Sequence, residues 1–357
     1  MAKLCSVRCA LTLDLYDDML YMESHLLESK NCGVSDVIWH WNATMRKSLR
    51  HLNRIHREFS SLSVPVVGLY GICEDRNSSF MRGPAKAPRL IREHLLSPSS
   101  NTFCEQGLDI ATCFTDFGDK IAVNRTLPAI YSALEPVIST VHAQRLIPVG
   151  LGGDHSVTSC ILTAIRNNMT NPFVIVHFDA HPDLYEDFDG DFHSHASPFA
   201  RIMETRSGHS ILGSTVTPLP ICSKLISIGI RTATAHQREQ IARYGVQVIE
   251  ARDFPSSRAE LRAALSKLIG PQENVYISFD LDVLDPCFAP GVSHRESGGL
   301  SVRQAVDALH CIPGTVIGAD LVEYNPDRDL DGITGSAAAK ILKELMSVIM
   351  VSRGSGL

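Results

Sequence analysis

The chain has 357 residues, 44% of them hydrophobic, and a formal net charge of -6. That length buries a large core and fits one big α/β domain with an appended segment. The negative balance and the absence of a dense Lys/Arg tract argue against a nucleic-acid partner, and no apolar run approaches the ~20 residues that span a bilayer.

Ten cysteines are scattered without a Cys-x-x-Cys pair. Reduced thiols in a reducing compartment are the natural reading. Cytoplasm is the default location. The mitochondrion is the alternative; Lys3 and Arg8 before the first acid, Asp14, give only a faint targeting signal, since Asp17, Asp18 and Glu23 soon follow. Asn-x-Ser/Thr triplets begin at Asn42, Asn77, Asn124 and Asn168 and read as chance matches without a secretory signal.

Residues 1–63 read as an N-terminal helical extension, and 64–357 as the catalytic domain. In the extension, Ile38, Trp41, Met45, Leu49, Leu52, Ile55 and Phe59 recur at helical spacing, with Ser35 or Asp36 as a cap. The opposite side carries Arg46, Lys47, Arg50, Arg54 and Arg57, a solvated basic face. Beyond Pro65, apolar runs predict strands over 64–69, 146–149, 173–178, 225–228, 246–249, 275–279 and 316–322. Helical patterns fall over 156–166, 258–268, 302–310 and 337–350. The alternation predicts a mostly parallel sheet with helices on both faces. Polar clusters directly follow several strands, where ligands of open α/β sheets bind.

Asp179, His181 and Asp183 fall at alternate positions after one strand, so their side chains share a face. Asp280 and Asp282 do the same after another; their carboxylates repel unless a cation sits between them. Gly152-Gly153-Asp154-His155-Ser156 makes a tight strand-to-helix turn that aims His155 at the same crevice, although a plain helix cap explains Asp154 and Ser156 equally well. Six candidate ligands result: His155, Asp179, His181, Asp183, Asp280 and Asp282. Their four carboxylates balance two divalent cations. Oxygen-rich ligation with two imidazoles and no thiolate suits Mn2+, with Ni2+, Co2+ or Fe2+ also compatible. Two adjacent metals lower the pKa of a shared water toward neutrality.

Gly-Gly-Asp-His-Ser, Asp-Ala-His-x-Asp and Ser-x-Asp-x-Asp-x-x-Asp-Pro, in this order, resemble the ureohydrolase (arginase/agmatinase) family over residues 64 to about 350. The stretches 77–93, 194–204 and 288–299 add to the resemblance, the last two to plant-type arginases. The resemblance implies an arginase-like three-layer fold and two manganese ions. One ion would take His155, Asp179, Asp183 and Asp280; the other would take Asp179, His181, Asp280 and Asp282. Asp179 and Asp280 would bridge them. It further implies that Glu323 holds a guanidinium by paired hydrogen bonds and that His195 carries protons. His193, two residues away, and His177 remain open as histidines without a role. A closed homo-oligomer, trimer or hexamer, is implied as well.

Arginine and agmatine both remain open as substrate. The plant-type stretches point to arginine. After Asp183, however, animal arginases have an Asn and Ser loop that meets the amino-acid end, and this chain has Leu184-Tyr185-Glu186-Asp187-Phe188-Asp189-Gly190-Asp191. These acids favour a purely cationic tail if they face the site, and read nothing if they are solvated. Tyr185, His294 and Glu296 are candidate substrate-tail residues, with Arg295 beside them. Residues 205–221 form a long Ser/Gly/Thr/Pro-rich loop. Competing readings are another guanidino-compound hydrolase, formimidoylglutamase, a one-metal zinc deacetylase, and a catalytically silent regulator. The last two are disfavoured by six complete ligands.

Overall fold

Eight strands lie side by side as one all-parallel sheet in the computed structural model, which describes residues 66–121, 126–209 and 220–354. The strands are β1 (Val67–Ile72), β2 (Phe114–Ile121), β3 (Ile147–Leu151), β4 (Phe173–Phe178), β5 (Cys222–Ile230), β6 (Gln247–Glu250), β7 (Asn274–Asp280) and β8 (Thr315–Val322). Their spatial order is β2-β1-β3-β8-β7-β4-β5-β6.

Both sheet faces are apolar. Val174, Val176 and Phe178 of β4 join one buried cluster, while Phe173 and Ile175 join the other. This alternation is the period of two expected of a strand covered on both sides. The first face is covered by α1 (Ala87–Leu95), α6 (Arg258–Leu268), α7 (Val302–Cys311) and α8 (Ile333–Gly354). The second is covered by α2 (Leu127–Ala143), α3 (Val157–Asn167), α4 (Pro198–Glu204) and α5 (Ala235–Tyr244). The result is the three-layer arrangement expected from the sequence.

Most expected elements are present, with ends shifted by a few residues. Edge strand β2 carries Asp116, Gly118 and Asp119, which hide its apolar pattern. Helix α2 contains Pro128 and Pro136, which read as breaks. Helix α5 is mostly polar, yet its start is fixed by a capping box between Thr234 and Gln237. The expected helix within 1–63 and the centre of the 205–221 loop lie outside the described residues. That loop's two ends are joined, because Ile221 N donates to Thr205 Oγ1 at 3.2 Å. Among the described residues, no helix is long and apolar enough to cross a membrane.

The strand order positions the site. β3, β8, β7 and β4 are consecutive neighbours at the centre of the sheet. Their carboxyl ends lead into Gly153–His155, Glu323, Asp280–Asp282 and Asp179–Asp183, so four clusters far apart in sequence open on one crevice.

Candidate metal centre and guanidinium pocket

The turn after β3 is shaped by close backbone packing. A side chain at Gly153 would stand 1.6 Å from the Glu74 carbonyl oxygen, so only glycine fits. Glu323 N donates to Gly153 O at 2.9 Å, locking this turn to the end of β8. Asp183 and Glu323 both hold positive φ, 51° and 63°. Such non-glycine strain is retained where the surroundings over-determine the conformation, often at functional sites.

His155 is fully buried. Its Nε2 lies 2.9 Å from Ser278 Oγ, and Ser278 Oγ donates to Asp320 Oδ1 at 2.7 Å. With the Ser278 proton committed to Asp320, Nε2 is the imidazole's donor, and Nδ1 is the nitrogen turned toward the acids. That Nδ1 faces Asp179 Oδ2 at 3.2 Å, Asp183 Oδ2 at 3.1 Å and Asp280 Oδ2 at 3.2 Å. It makes no hydrogen bond to any of them. Close by, His181 Nδ1 lies 3.3 Å from Asp179 Oδ1 and 2.9 Å from Asp282 Oδ2. Burial, reinforced by Asp282 and Asp179, holds the Asp280 carboxyl well above its ordinary range. An orphaned buried imidazole nitrogen amid crowded carboxylates is a donor set that fits divalent cations.

By proximity, His155, His177, Asp179 and Asp183 could hold one ion, and Asp179, His181 and Asp282 another. The two nitrogens of His177 are engaged, Nε2 with Asp179 Oδ2 at 2.8 Å and Nδ1 with Ser227 Oγ at 3.2 Å. Asp280 therefore fits the first group better than His177 does, and His177 is a buried strand residue that orients Asp179.

Beside these acids opens a cavity of about 220 Å³, lined by Asp183, His181, Asp280, Asp282, His195 and Glu323, among others. His195 Nδ1 lies 2.8 Å from Glu323 Oε1, and His195 Nε2 lies 2.8 Å from Ser79 Oγ. Burial alone would lower the His195 pKa. The Glu323 charge and hydrogen bond outweigh it and leave it at about 9. His195 lines the cavity and His193 does not.

Tyr185, His294 and Glu296 also line it. Tyr185 OH donates to Thr234 Oγ1 at 3.3 Å, and the His294 ring centre is 5.3 Å from that of His195. Glu186, Asp187, Asp189 and Asp191 do not line it. Glu186 pairs with Arg243 at 2.5 Å, and the other three are exposed. The acids that could have selected a cationic tail are thus solvated.

Several wall and supporting residues were not assigned a role from the sequence: Ser79, Thr232, Gln237, Arg231 and Asp320. Arg231 donates to the carbonyls of Asp282 at 2.5 Å, Val283 at 3.2 Å, Leu284 at 3.4 Å and Glu296 at 2.7 Å. Its position after an apolar strand was the available signal. Its partners are backbone atoms, which sequence patterns do not identify.

The family model described as the arginase family matches residues 66–347. Arginase 1, mitochondrial, of Arabidopsis thaliana is 41% identical over 290 residues, covering 79% of this chain and 80% of that protein. The solved arginase from Medicago truncatula superposes with a TM-score of 0.67 at 35% identity, covering 86% of this chain and 98% of that one. The agmatine ureohydrolase of Thermoplasma volcanium superposes at 0.68 with 25% identity, covering 83% and 93% respectively. Motifs, sheet order and relatives agree: this chain belongs to the arginase family.

Proposed function

We propose that this chain is an arginase that hydrolyses L-arginine to L-ornithine and urea with two Mn2+ ions. The observation that carries the reading is His155 Nδ1, buried and facing three carboxylates at 3.1–3.2 Å, beside a cavity that also exposes Glu323. His155, Asp179, Asp183 and Asp280 would hold one cation, and Asp179, His181, Asp280 and Asp282 the other. When bound, the pair supplies Lewis acidity and a water nucleophile available near neutral pH.

The chain's own residues do the rest. Glu323 accepts hydrogen bonds from the planar guanidinium and fixes its central carbon toward the metal-facing acids. To do so it exchanges its contact with His195 for one with the substrate. His195, released from Glu323 but still bonded to Ser79, gives a proton to the departing alkylamine nitrogen. Loss of that amine and collapse of the attacked carbon leave urea and ornithine. Tyr185, His294 and Glu296 line the outer pocket and contact the substrate's tail.

Plant relatives whose names place them in mitochondria support a mitochondrial location over a cytoplasmic one. A homo-oligomer, trimer or hexamer, is part of the same proposal.

The test is urea release from metal-stripped protein reloaded with manganese, on L-arginine, agmatine, 4-guanidinobutyrate and guanidine in parallel. Turnover of L-arginine above the others supports the reading. Agmatine as the preferred substrate replaces it with an agmatinase, and no urea from any of them removes the hydrolase assignment.

A further inference from the structure

The outer cavity wall holds one amide with an unusual constraint. Gln237 is only 4% exposed and lines the cavity. Its backbone N–H donates to Thr234 Oγ1 at 3.2 Å, and its Oε1 accepts from Thr234 N at 3.1 Å. Thr234 N can only donate, so the amide oxygen must face the helix cap. The Nε2 group therefore points the other way, and it has no hydrogen-bond partner among the described residues. This donor sits in the first turn of α5, where the helix field adds positive potential.

Glu296 lines the same cavity. It is the only acid of the lining besides Asp183, Asp280, Asp282 and Glu323. The two stretches are tied together: Arg231, next to Thr232, donates to Glu296 O from Nε at 3.0 Å and from Nη2 at 2.7 Å. The outer wall thus offers an uncommitted N–H2 donor and a carboxylate on two segments clamped to each other. The segment after Asp183 brings Tyr185 and Phe188 to the cavity, and the Tyr185 hydroxyl proton is already given to Thr234.

We infer that Gln237 and Glu296 form a specificity pair for the α-amino-acid end of the substrate, Gln237 Nε2 meeting the α-carboxylate and Glu296 the α-ammonium. An α-amino acid carries both charges on one carbon. Agmatine presents only a cation and 4-guanidinobutyrate only an anion, so each satisfies half of the pair. The inference rests on the arginase reading and names the residues that separate arginine from its analogues.

The discriminating variant is Gln237→Glu. Glutamate also serves at this capping position, so the helix start is kept while the donor becomes an acceptor with negative charge. On metal-loaded protein, kcat/KM for L-arginine should fall about tenfold or more relative to agmatine. Glu296→Gln should instead shift preference toward 4-guanidinobutyrate. L-ornithine affinity, measured by calorimetry against putrescine, should weaken about tenfold in Gln237→Glu independently of turnover. An arginine-to-agmatine ratio within about twofold of wild type, with unchanged ornithine affinity, overturns the inference and leaves the arginase reading intact. Wild-type protein that releases no urea from arginine and does not bind ornithine overturns both.

Discussion

Glu323 Oε1 lies 2.8 Å from His195 Nδ1 and also accepts the backbone N–H of His155 at 2.8 Å. One carboxylate oxygen thus links the turn that aims His155, the pocket histidine and the end of β8. In the proposed reaction, a guanidinium entering the cavity would compete with His195 for this carboxylate. Glu323→Gln keeps the shape and removes the charge. Its kcat/KM for L-arginine should fall by at least about a hundredfold, with its bound-metal content unchanged by mass spectrometry. A small loss in turnover would take Glu323 out of substrate binding.

The same pair gives a pH signature in metal-free protein. The folded His195 pKa of about 9 lies above the ~6.5 of an unperturbed histidine, so protonation favours the folded state. The sign follows: this stabilisation is fully present below pH ~6.5 and disappears as pH rises through about 9. Between pH 6 and pH 10, wild-type Tm should fall more than that of His195→Asn. Parallel profiles would mean that the pair contributes nothing to folding.

Asp280 should behave oppositely with and without metal. It is crowded by Asp179 and Asp282 in a buried site, which disfavours its charge. Asp280→Asn removes that charge while retaining the oxygen that accepts from Asp282 N. Metal-free Asp280→Asn should therefore melt ~2 °C or more above metal-free wild type. Added manganese should raise wild-type Tm strongly and the variant's little. Calorimetry with and without chelator measures both; equal metal responses would remove Asp280 from the ligand set.

Arg231 acts through the backbone of the loop that carries Asp282 and Glu296. Replacing it with Met leaves those carbonyls without their shared donor and frees the loop. Metal affinity should drop about 10–100-fold, the usual effect of losing an outer support of a metal ligand, and Lys should restore part of it. Titration with manganese followed by electron paramagnetic resonance reads this directly. Unchanged affinity in the Met variant would reduce Arg231 to packing.

Glu186→Ala should be silent. The Glu186–Arg243 ion pair is solvent-exposed and screened, so its loss should leave Tm essentially unchanged. The arginine-to-agmatine preference should also stay constant, since Glu186 does not line the cavity. A shift toward either substrate would return the Glu186–Asp191 acids to the specificity question.

By itself the sequence determined the chemistry and the architecture. Alternate spacing after apolar runs singled out Asp179, His181 and Asp183, and likewise Asp280 and Asp282, as candidate ligands at strand ends; the structure brings them together by turns and not by an extended chain, since Leu281–Val283 form a 3-10 turn and Asp183 has a φ of 51°. Alternating apolar runs implied a parallel sheet, because such strands must be covered on both faces. Only the tertiary structure decided which groups meet. The order β3-β8-β7-β4 brings His155, Glu323, Asp280 and Asp179 together although they are distant along the chain. It also put His195 and not His193 on the cavity wall, turned Glu186 toward Arg243, and exposed the free amide of Gln237. These outcomes depend on loop paths and on hydrogen bonds to backbone atoms. Every residue carries such atoms alike, so side-chain patterning does not encode which of them will be met.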